Sequence, residues 1–272
     1  MASFTDLPLD ILPVIFDKIG TFNILHSVQF VCKEWYALAK DSQTWRRIYG
    51  PNLRLKDIKV AIDRSNGGLI EYDVSGVYLA VKDMEYILHQ SPQLEMLTYQ
   101  CSDWFDPFLK DVFTKASISC PSLKNIGIYG HDFYPDDIEY VAGLFPNLEK
   151  FRLERVSNFG CVSSIARKMG ELFELQLKMF NIVDDDFRAI LDGCPKLQFL
   201  GVVTKTDPRC LLLDGDLKQR LKRLQGCVIF NLFDDNVDAF FKHGRNKDWK
   251  YEIFIGRKKI VRAEEEIKLK NF

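Results

Sequence analysis

The chain has 272 residues, and its 37 basic and 38 acidic side chains leave a formal net charge of −1. This balance gives no overall attraction to nucleic acid or to an anionic membrane, so neither is expected as a partner. Hydrophobic residues make up 47% of the chain, which is enough for a buried core and argues against disorder. No apolar stretch is long enough to cross a bilayer, and the N-terminus lacks the pattern of a secretory signal.

The first fifty residues carry three helical patterns. Asp10 is a candidate helix cap, Pro13 falls in the first turn, and Gly20 is suited to end this helix. Helical spacing of apolar residues predicts a second helix through residues 24–38 and a third through residues 45–49. Because so short a segment buries few large side chains, some should remain on an outer surface, as at a partner site. The candidates are Leu7, Ile11, Ile15, Phe16, Val31, Trp35 and Trp45.

The order of these residues resembles the F-box. The resemblance is carried by Leu7-Pro8, Asp10-Ile11-Leu12, Ile15-Phe16, Val31-Cys32-Lys33-x-Trp35 and Trp45. It implies docking on the Skp adaptor of Skp–cullin–F-box ubiquitin ligases and, through that adaptor, on a cullin. The implied contact residues are Leu7, Pro8, Ile11, Leu12, Ile15, Phe16, Val31, Cys32, Trp35 and Trp45. A structural alternative is that these helices only cap a repeat array.

The rest of the chain is built from a repeated leucine-rich pattern. The pattern Leu-x-x-Leu-x-Leu, or a variant of it, begins at Leu69, Leu94, Leu123, Leu148, Leu172, Leu197 and, more weakly, Leu224. Successive copies are 24 residues (148 to 172) to 29 residues (94 to 123) apart, in or near the range of leucine-rich repeats. Each copy predicts a strand with two inward residues, and amphipathic helices lie between the copies.

These patterns predict an α/β fold in which an N-terminal three-helix F-box, residues 1–50, precedes a leucine-rich repeat array, residues 51–230. Units that cannot bury their cores alone would stack as a curved solenoid with a parallel concave sheet and outer helices. Residues 61–69 resemble the opening repeat of plant F-box/leucine-rich repeat proteins. Residues 231–272 are predicted to form a C-terminal cap and charged tail, with a final helical half unit over residues 231–243.

Residues that alternate with the core positions would line the concave face and contact a protein target. The predicted target-binding residues are Tyr129, Lys150, Arg152, Gln176, Lys178, Phe199, Val203 and Phe230. In this hypothesis the apolar C-terminal columns hold the target, and Lys150, Arg152 and Lys178 supply charge complementarity. The alternative is that the C-terminal tail folds over Phe199, Val203 and Phe230 and buries them.

The pattern of chemically reactive residues favours a binding protein. The 7 cysteines are odd in number and form no CxxC pair, which predicts reduced thiols in the cytoplasm, the nucleus or both. The 4 histidines show no zinc-ligand spacing, and no phosphate loop or nucleophile elbow occurs. Asp184-Asp185-Asp186 and Asp234-Asp235 fit helix starts better than a metal site. We therefore expect no metal, no cofactor and no catalysis.

The sequence thus predicts a non-catalytic substrate-recognition subunit of a Skp–cullin–F-box ubiquitin ligase. Its expected partners are the Skp adaptor, a cullin reached through that adaptor, and an unknown protein target. The alternative is a leucine-rich repeat interaction scaffold outside any ligase. A nucleic-acid-binding array is a third alternative, which the near-zero net charge disfavours.

Overall fold

The structure is a computed structural model that describes residues 11–50, 52–74, 76–101, 109–157, 160–206, 211, 213–231, 253–255 and 258–261. Leu7, Pro8, Asp10, Cys210, the Phe230 side chain and the predicted half unit after residue 231 lie outside the described residues. The chain divides into two compact units, Met1–Tyr129 and Gly130–Phe272. No helix in the described ranges is long and apolar enough to span a membrane.

The first unit begins with a segment of short helices. They are α1 (Leu12–Ile19), α2 (Thr21–His26), a 3₁₀ turn (Val28–Phe30), α3 (Lys33–Leu38) and a second 3₁₀ turn (Ser42–Trp45), followed by strand β1 (Arg47–Tyr49). Pro13 stands in the first turn of α1, and Gly20 ends it with a positive φ of 86°, as predicted. Ile11 occupies the cap position of α1 and makes no side-chain cap bond.

Two sequence predictions are wrong in this segment. The single helix expected over residues 24–38 is interrupted, because Cys32 adopts an extended backbone conformation before α3. The helix expected over residues 45–49 is a 3₁₀ turn followed by β1, because Ile48 pairs in parallel register with Tyr72 of the first repeat. The spacing of nearby residues could not reveal this pairing, because Tyr72 lies more than twenty residues further along the chain.

The repeats of the first unit alternate helix and strand. They comprise α4 (Leu55–Ser65), β2 (Glu71–Asp73), α5 (Val81–His89), β3 (Met96–Gln100), α6 (Leu109–Ser119) and β4 (Asn125–Tyr129). The strands β1 to β4 pair in parallel and in chain order. Leu97 and Tyr99 are both buried and stand in register with the buried Ile126 and Ile128. The predicted inward columns are therefore correct here.

The second unit continues the same alternation. It comprises α7 (Pro135–Leu144), β5 (Lys150–Val156), α8 (Cys161–Lys168), β6 (Glu174–Met179), α9 (Asp184–Gly193), β7 (Phe199–Thr204), α10 (Gly215–Lys222), β8 (Gly226–Asn231), β9 (Ile253–Ile255) and β10 (Lys258–Val261). Strands β5 to β9 are parallel, and β10 is antiparallel to β9. Helix α9 begins at Asp184, and Asp186 accepts a hydrogen bond from the Val183 backbone N–H at 3.0 Å. The acidic run is thus a helix start, as predicted.

Candidate functional site

Three aromatic side chains lie in the core of the N-terminal segment: Phe16, Trp35 and Trp45. Phe16 of α1 and Trp35 of α3 meet edge to face with their ring centroids 5.8 Å apart. Trp45 is fully buried, and its indole N–H donates to the Ala39 carbonyl at 3.0 Å. Leu12 is buried with them. These four residues had been expected at the adaptor surface, but their burial assigns them to the core that supports that surface.

A different set of apolar side chains faces solvent, and we call it the exposed apolar set. Its members are between 44% and 70% exposed: Ile11, Val14, Phe30, Val31 and Tyr36. The predicted residues Ile15 and Cys32 are half-buried. Ile11 and Val31 were predicted from sequence, whereas Val14, Phe30 and Tyr36 were missed. The available signal for Val14 was its position one helical turn after Ile11, on the same flank of α1.

Arg64 fixes this segment to the first repeat helix, α4. Its guanidinium donates to the Ala39 carbonyl at 3.1 Å and to Gln29 Oε1 at 3.2 Å, and it lies 5.4 Å from the centre of the Trp45 ring. Burial lowers the pKa of Arg64 from its ordinary value. Arg64 belongs to the stretch that resembles the opening repeat of plant relatives, so one role of that stretch is to seat the N-terminal helices.

Asp57 provides a second attachment on α4. Its carboxylate accepts hydrogen bonds from the Arg54 backbone N–H at 3.0 Å and the Arg54 side chain at 3.1 Å, and it lies 3.0 Å from His26 Nε2. Burial acts to raise the pKa of Asp57, but the bonds from Arg54 and His26 outweigh it and hold the pKa below its ordinary value. His26 of α2 is thereby linked to α4.

On the strand face of the first unit, an aromatic side chain that was predicted to be exposed is buried. Tyr129, predicted as an exposed aromatic contact, is buried. Its ring lies beside Gly127, since a Cβ added there would be 3.8 Å from Tyr129 Cε2 and 3.3 Å from Thr98 Oγ1. The Thr98 hydroxyl in turn donates to Asp73 at 2.9 Å. The absence of a side chain at residue 127 makes room for both neighbours, so Tyr129 packs within this face.

The charged middle of the strand face in the second unit contains its own counterions. Lys150 lies 3.3 Å from Glu174, and Lys178 lies 2.6 Å from Glu154. Gln176 is buried and donates to Glu174 at 2.6 Å, which is at odds with its predicted contact role. Arg152 is half-buried. These pairings reduce the positive charge that the sequence suggested for this face.

Among the described side chains in the last columns of this face, Phe199 is an accessible aromatic one. Phe199 is half-buried, and its ring lies over Gly226, where an added Cβ would be 2.6 Å from Phe199 Cδ2. Val203, predicted as a contact residue, is fully buried. It is a short side chain on a strand with a hydrogen-bonded neighbour on each side. Among the predicted residues described here, Lys150 is the most exposed, and Arg152, Lys178 and Phe199 are half-buried.

Comparison with known proteins identifies the family. Residues 4–50 match the F-box-like family. F-box protein SKIP19 of Arabidopsis thaliana is 30% identical over 234 residues, which cover 80% of this chain and 74% of that protein. The chain belongs to the plant F-box/leucine-rich repeat family. Domains of the F-box type generally bind the Skp adaptor within Skp–cullin–F-box complexes, and family members are generally non-catalytic.

Two further similarities accompany this result. F-box/LRR-repeat protein 23 of Arabidopsis thaliana is 30% identical over 241 residues, which cover 81% of this chain and 51% of that protein. The chain therefore spans about half the length of that relative. Among solved structures, the leucine-rich repeat-containing protein LegL7 from Legionella pneumophila matches 66% of this chain at 11% identity with a TM-score of 0.35, too low to support a conclusion.

The buried thiols of this F-box/leucine-rich repeat protein in the described ranges are packing groups. Cys120 donates to the Ser91 carbonyl of the preceding repeat at 3.4 Å, and Cys194 donates to the Met169 carbonyl at 3.5 Å. Burial raises the pKa of Cys120 to about 12 and that of Cys194 to about 11. A thiol with so high a pKa is a poor nucleophile at neutral pH. No cluster that could hold a metal ion occurs among the described residues.

Proposed function

We propose that this protein is the substrate-recognition subunit of a Skp–cullin–F-box ubiquitin ligase. In this role its N-terminal segment docks on the Skp adaptor, its repeats hold a protein target, and other subunits carry the ubiquitin chemistry. The observation that carries the proposal is the exposed apolar set, which lies in the segment that matches the F-box-like family. The free state of the described thiols supports a location in the cytoplasm or nucleus, where cysteines stay reduced.

The exposed apolar set is suited to partner binding on energetic grounds. Leaving a large apolar side chain in water forgoes about 1.5–3 kcal/mol of burial energy. The segment buries Phe16, Trp35 and Trp45 but leaves the adjacent residues Phe30 and Val31, which precede α3, exposed. A partner that covers these side chains recovers that energy, and the few residues that dominate an interface contribute ~2 kcal/mol or more.

The docking proposal is tested with purified Skp adaptor in a binding titration. Val31→Asp places a charge in the exposed apolar set and should weaken binding by roughly tenfold or more, while the melting temperature stays near that of the wild type. Ile118→Asp is the matched control, since Ile118 is 76% exposed on α6 and lies outside the F-box segment. Equal adaptor affinity for the folded Val31→Asp variant and the wild type would refute the proposed surface.

Target binding is proposed for the strand face of the second unit, centred on Phe199. Its ring is partly accessible. Lys150, two strands away in the same row, has an exposed side chain whose ammonium group lies beside Glu174. The test is capture of proximity-labelled cellular targets by the full chain and by its Phe199→Ala variant. We expect the variant to lose most of its targets but to keep its adaptor affinity. Capture of an unchanged set of targets would refute the assignment of this face and leave the adaptor result intact.

A further inference from the structure

The parallel strands of the second unit end at one common edge, where the chain turns into the following helices. Val156, Met179 and Thr204 form one register row at the ends of β5, β6 and β7. Past that row, the Lys205 N–H donates to the Phe180 carbonyl at 2.9 Å, so the loops that leave these strands lie side by side. We call the described residues of this edge the strand-end rim: residues 131–137, 155–157, 180–188, 204–206 and 213–216.

Three large apolar side chains of the strand-end rim face solvent. Tyr134, before α7, is 44% exposed, and Phe180 and Val183, which share the loop between β6 and α9, are 53% and 56% exposed. The Lys205 ammonium lies 4.5 Å from the centre of the Phe180 ring and shields only part of it. Large apolar side chains that share an exposed loop are typical of a surface that a partner covers.

The loop that carries Phe180 and Val183 is held in place by hydroxyl groups of the next repeat. The Thr204 hydroxyl donates to the Phe180 carbonyl at 3.0 Å, and the Thr206 hydroxyl accepts from the Ile182 N–H at 3.0 Å. The Ile182 side chain is buried and anchors the middle of the loop. Because an ordered loop loses little conformational freedom on binding, Phe180 and Val183 are suited to act as preformed anchors for a partner.

The strand-end rim is also strongly acidic. It contains eight aspartates and only three basic residues, Arg155, Arg188 and Lys205. The Arg188 guanidinium is shared by the carboxylates of Asp214, Asp185 and Asp216, the last two at 3.9 Å. Three carboxylates around one guanidinium leave this group with a net negative charge, which favours a basic partner.

Helix capping accounts for only some of these acids. Asp186 accepts a hydrogen bond from the Val183 N–H at 3.0 Å and thereby caps α9. The preceding Asp185 has a side chain that is 94% exposed, and it lies two residues after the exposed Val183. In α7 the exposed Asp136 likewise lies two residues after the exposed Tyr134. An exposed apolar side chain followed by an exposed acid therefore occurs in two loops of the strand-end rim.

The two loops that carry these pairs are two strand spacings apart. Phe133 forms a parallel bridge to Val156, and Val156 pairs with Met179. Neighbouring strands are about 4.8 Å apart, so Tyr134 and Phe180, which follow Phe133 and Met179, are separated by about 10 Å along the edge. About three residues of an extended chain span that distance, so one short segment can reach both loops.

We propose that the strand-end rim docks a short segment of the protein target in which large apolar residues stand next to lysine or arginine. The apolar side chains pack on Tyr134, Phe180 and Val183, and the cations pair with Asp136 and Asp185. Charge complementarity selects this occupant, because the net negative rim repels an acidic segment and leaves its own carboxylates unpaired. The inference rests on the proposed role as a substrate-recognition subunit and adds the chemistry of the target segment.

Selection from a displayed library of random peptides on the immobilised full chain tests this proposal. The adaptor is left out of the experiment. We expect the enriched peptides to combine a large apolar residue with a nearby lysine or arginine. Synthetic copies of these peptides should bind more weakly as the salt concentration rises, because salt screens the attraction between exposed charges.

Titration of an enriched peptide against variants of the full chain locates its binding site. Phe180→Ala should weaken binding by roughly tenfold. Asp185→Lys should weaken it by a similar factor, because repulsion replaces attraction. Phe173→Ala is the matched control and should leave the affinity unchanged, since Phe173 is an exposed phenylalanine directly before β6, at the opposite end of the strand that Phe180 follows. A melting temperature near that of the wild type shows that each variant is folded.

Enrichment of acidic or uncharged peptides, or of no peptide at all, would overturn the proposal. Equal affinity of the folded Phe180→Ala variant and the wild type would do the same. If Phe199→Ala abolishes binding and Phe180→Ala does not, the segment binds the strand face and not the rim. Self-association that Phe180→Ala abolishes would make the rim a contact between two copies of the chain. Because the adaptor is absent, none of these results bears on the docking of the F-box segment, which its own titration decides.

Discussion

The F-box segment and the outer helices of the repeats present opposite kinds of surface. Between Ile11 and Tyr36 the chain leaves five large apolar side chains exposed. The outer helices instead carry charged pairs that reach from one repeat to the next, such as Lys59 with Asp83 and Lys115 with Glu85. Exposed apolar residues also occur on the repeats, among them Ile118, Phe180 and Val183.

This contrast separates the parts of the molecule that bind from the parts that stack. Exposed ion pairs contribute about 0–1 kcal/mol each, so the pairs between repeats serve mainly to set register and keep the helices soluble. The side chains of the exposed apolar set are instead stabilised when another molecule covers them and removes them from water. The predictions below test whether surface and core are divided in this way.

The largest effect is expected for the core of the F-box segment. Trp45→Ala should lower the free energy of unfolding by about 3–5 kcal/mol, since the ring is fully buried and its N–H is hydrogen-bonded. Phe30→Ala, at a 70% exposed aromatic, should change it by less than about 0.5 kcal/mol and yet weaken adaptor binding. Denaturant unfolding followed by circular dichroism measures both. Equal destabilisation by the two variants would break the distinction between core and surface.

The next effect concerns the close stacking of repeats. A Cβ on Gly193 at the end of α9 would lie 2.1 Å from the Ala166 carbonyl oxygen of α8, so Gly193→Ala should destabilise the fold by about 3 kcal/mol. A Cβ on Gly143 of α7 would have no neighbour within 4 Å, so Gly143→Ala should raise the free energy of unfolding by about 0.5–1 kcal/mol. Thermal unfolding of the two variants tests the difference, and similar melting temperatures would show that the helices stack less tightly.

The attachment of the F-box segment to α4 should depend on pH through Asp57. Its pKa is lowered in the folded state, so the stabilisation is complete above the unfolded pKa of about 3.9 and is lost as pH falls through the folded value. Asp57→Asn should therefore cost about 2 kcal/mol at pH 7 and much less near pH 3. Unfolding curves across this pH range measure the loss of stability. Asp185→Asn, at an exposed carboxylate, is the control. A constant difference at all pH values would argue against the carboxylate bonds.

The smallest effect on stability is expected for the buried hydroxyl of Tyr72 in the core of the repeats. The Tyr72 hydroxyl is buried and has no hydrogen-bond partner among the described residues, so Tyr72→Phe should stabilise the fold by about 1 kcal/mol. Tyr86 donates its hydroxyl to Asp63 of the neighbouring helix, so Tyr86→Phe should cost about 0.5–1 kcal/mol instead. Calorimetry of both variants shows whether each substitution raises or lowers the stability of the fold. A loss of stability in Tyr72→Phe would reveal a buried partner such as water.

The regular parts of the fold were predictable because their pattern is local. The strand period of the copy that begins at Leu94 places Leu97 and Tyr99 inward, and both are buried. Residue order also located the F-box, although its elements were only partly correct. Helical spacing could not show that Ile48 belongs to a strand, because its pairing partner lies in the next repeat.

The candidate site was less predictable, because exposure depends on neighbours a repeat or more away. Tyr129 and Lys150 both occupy outward positions in the strand pattern, yet the first is buried beside Gly127 and the second is exposed. Likewise, Phe16 and Val31 both belong to the F-box resemblance, but Phe16 packs on Trp35 and Val31 faces solvent. Residue type and spacing are compatible with either outcome at each of these positions.

The sequence by itself determined the order of modules, the repeat period and the inward columns, since each follows from spacing within a few residues or from a motif read in order. The tertiary structure alone decided which apolar residues of the F-box segment form the core and which remain for a partner. It also decided which strand-face residues stay accessible. Both depend on contacts such as Arg64 with Trp45 and Phe199 with Gly226, which join positions about 20 to 30 residues apart and leave no periodic trace.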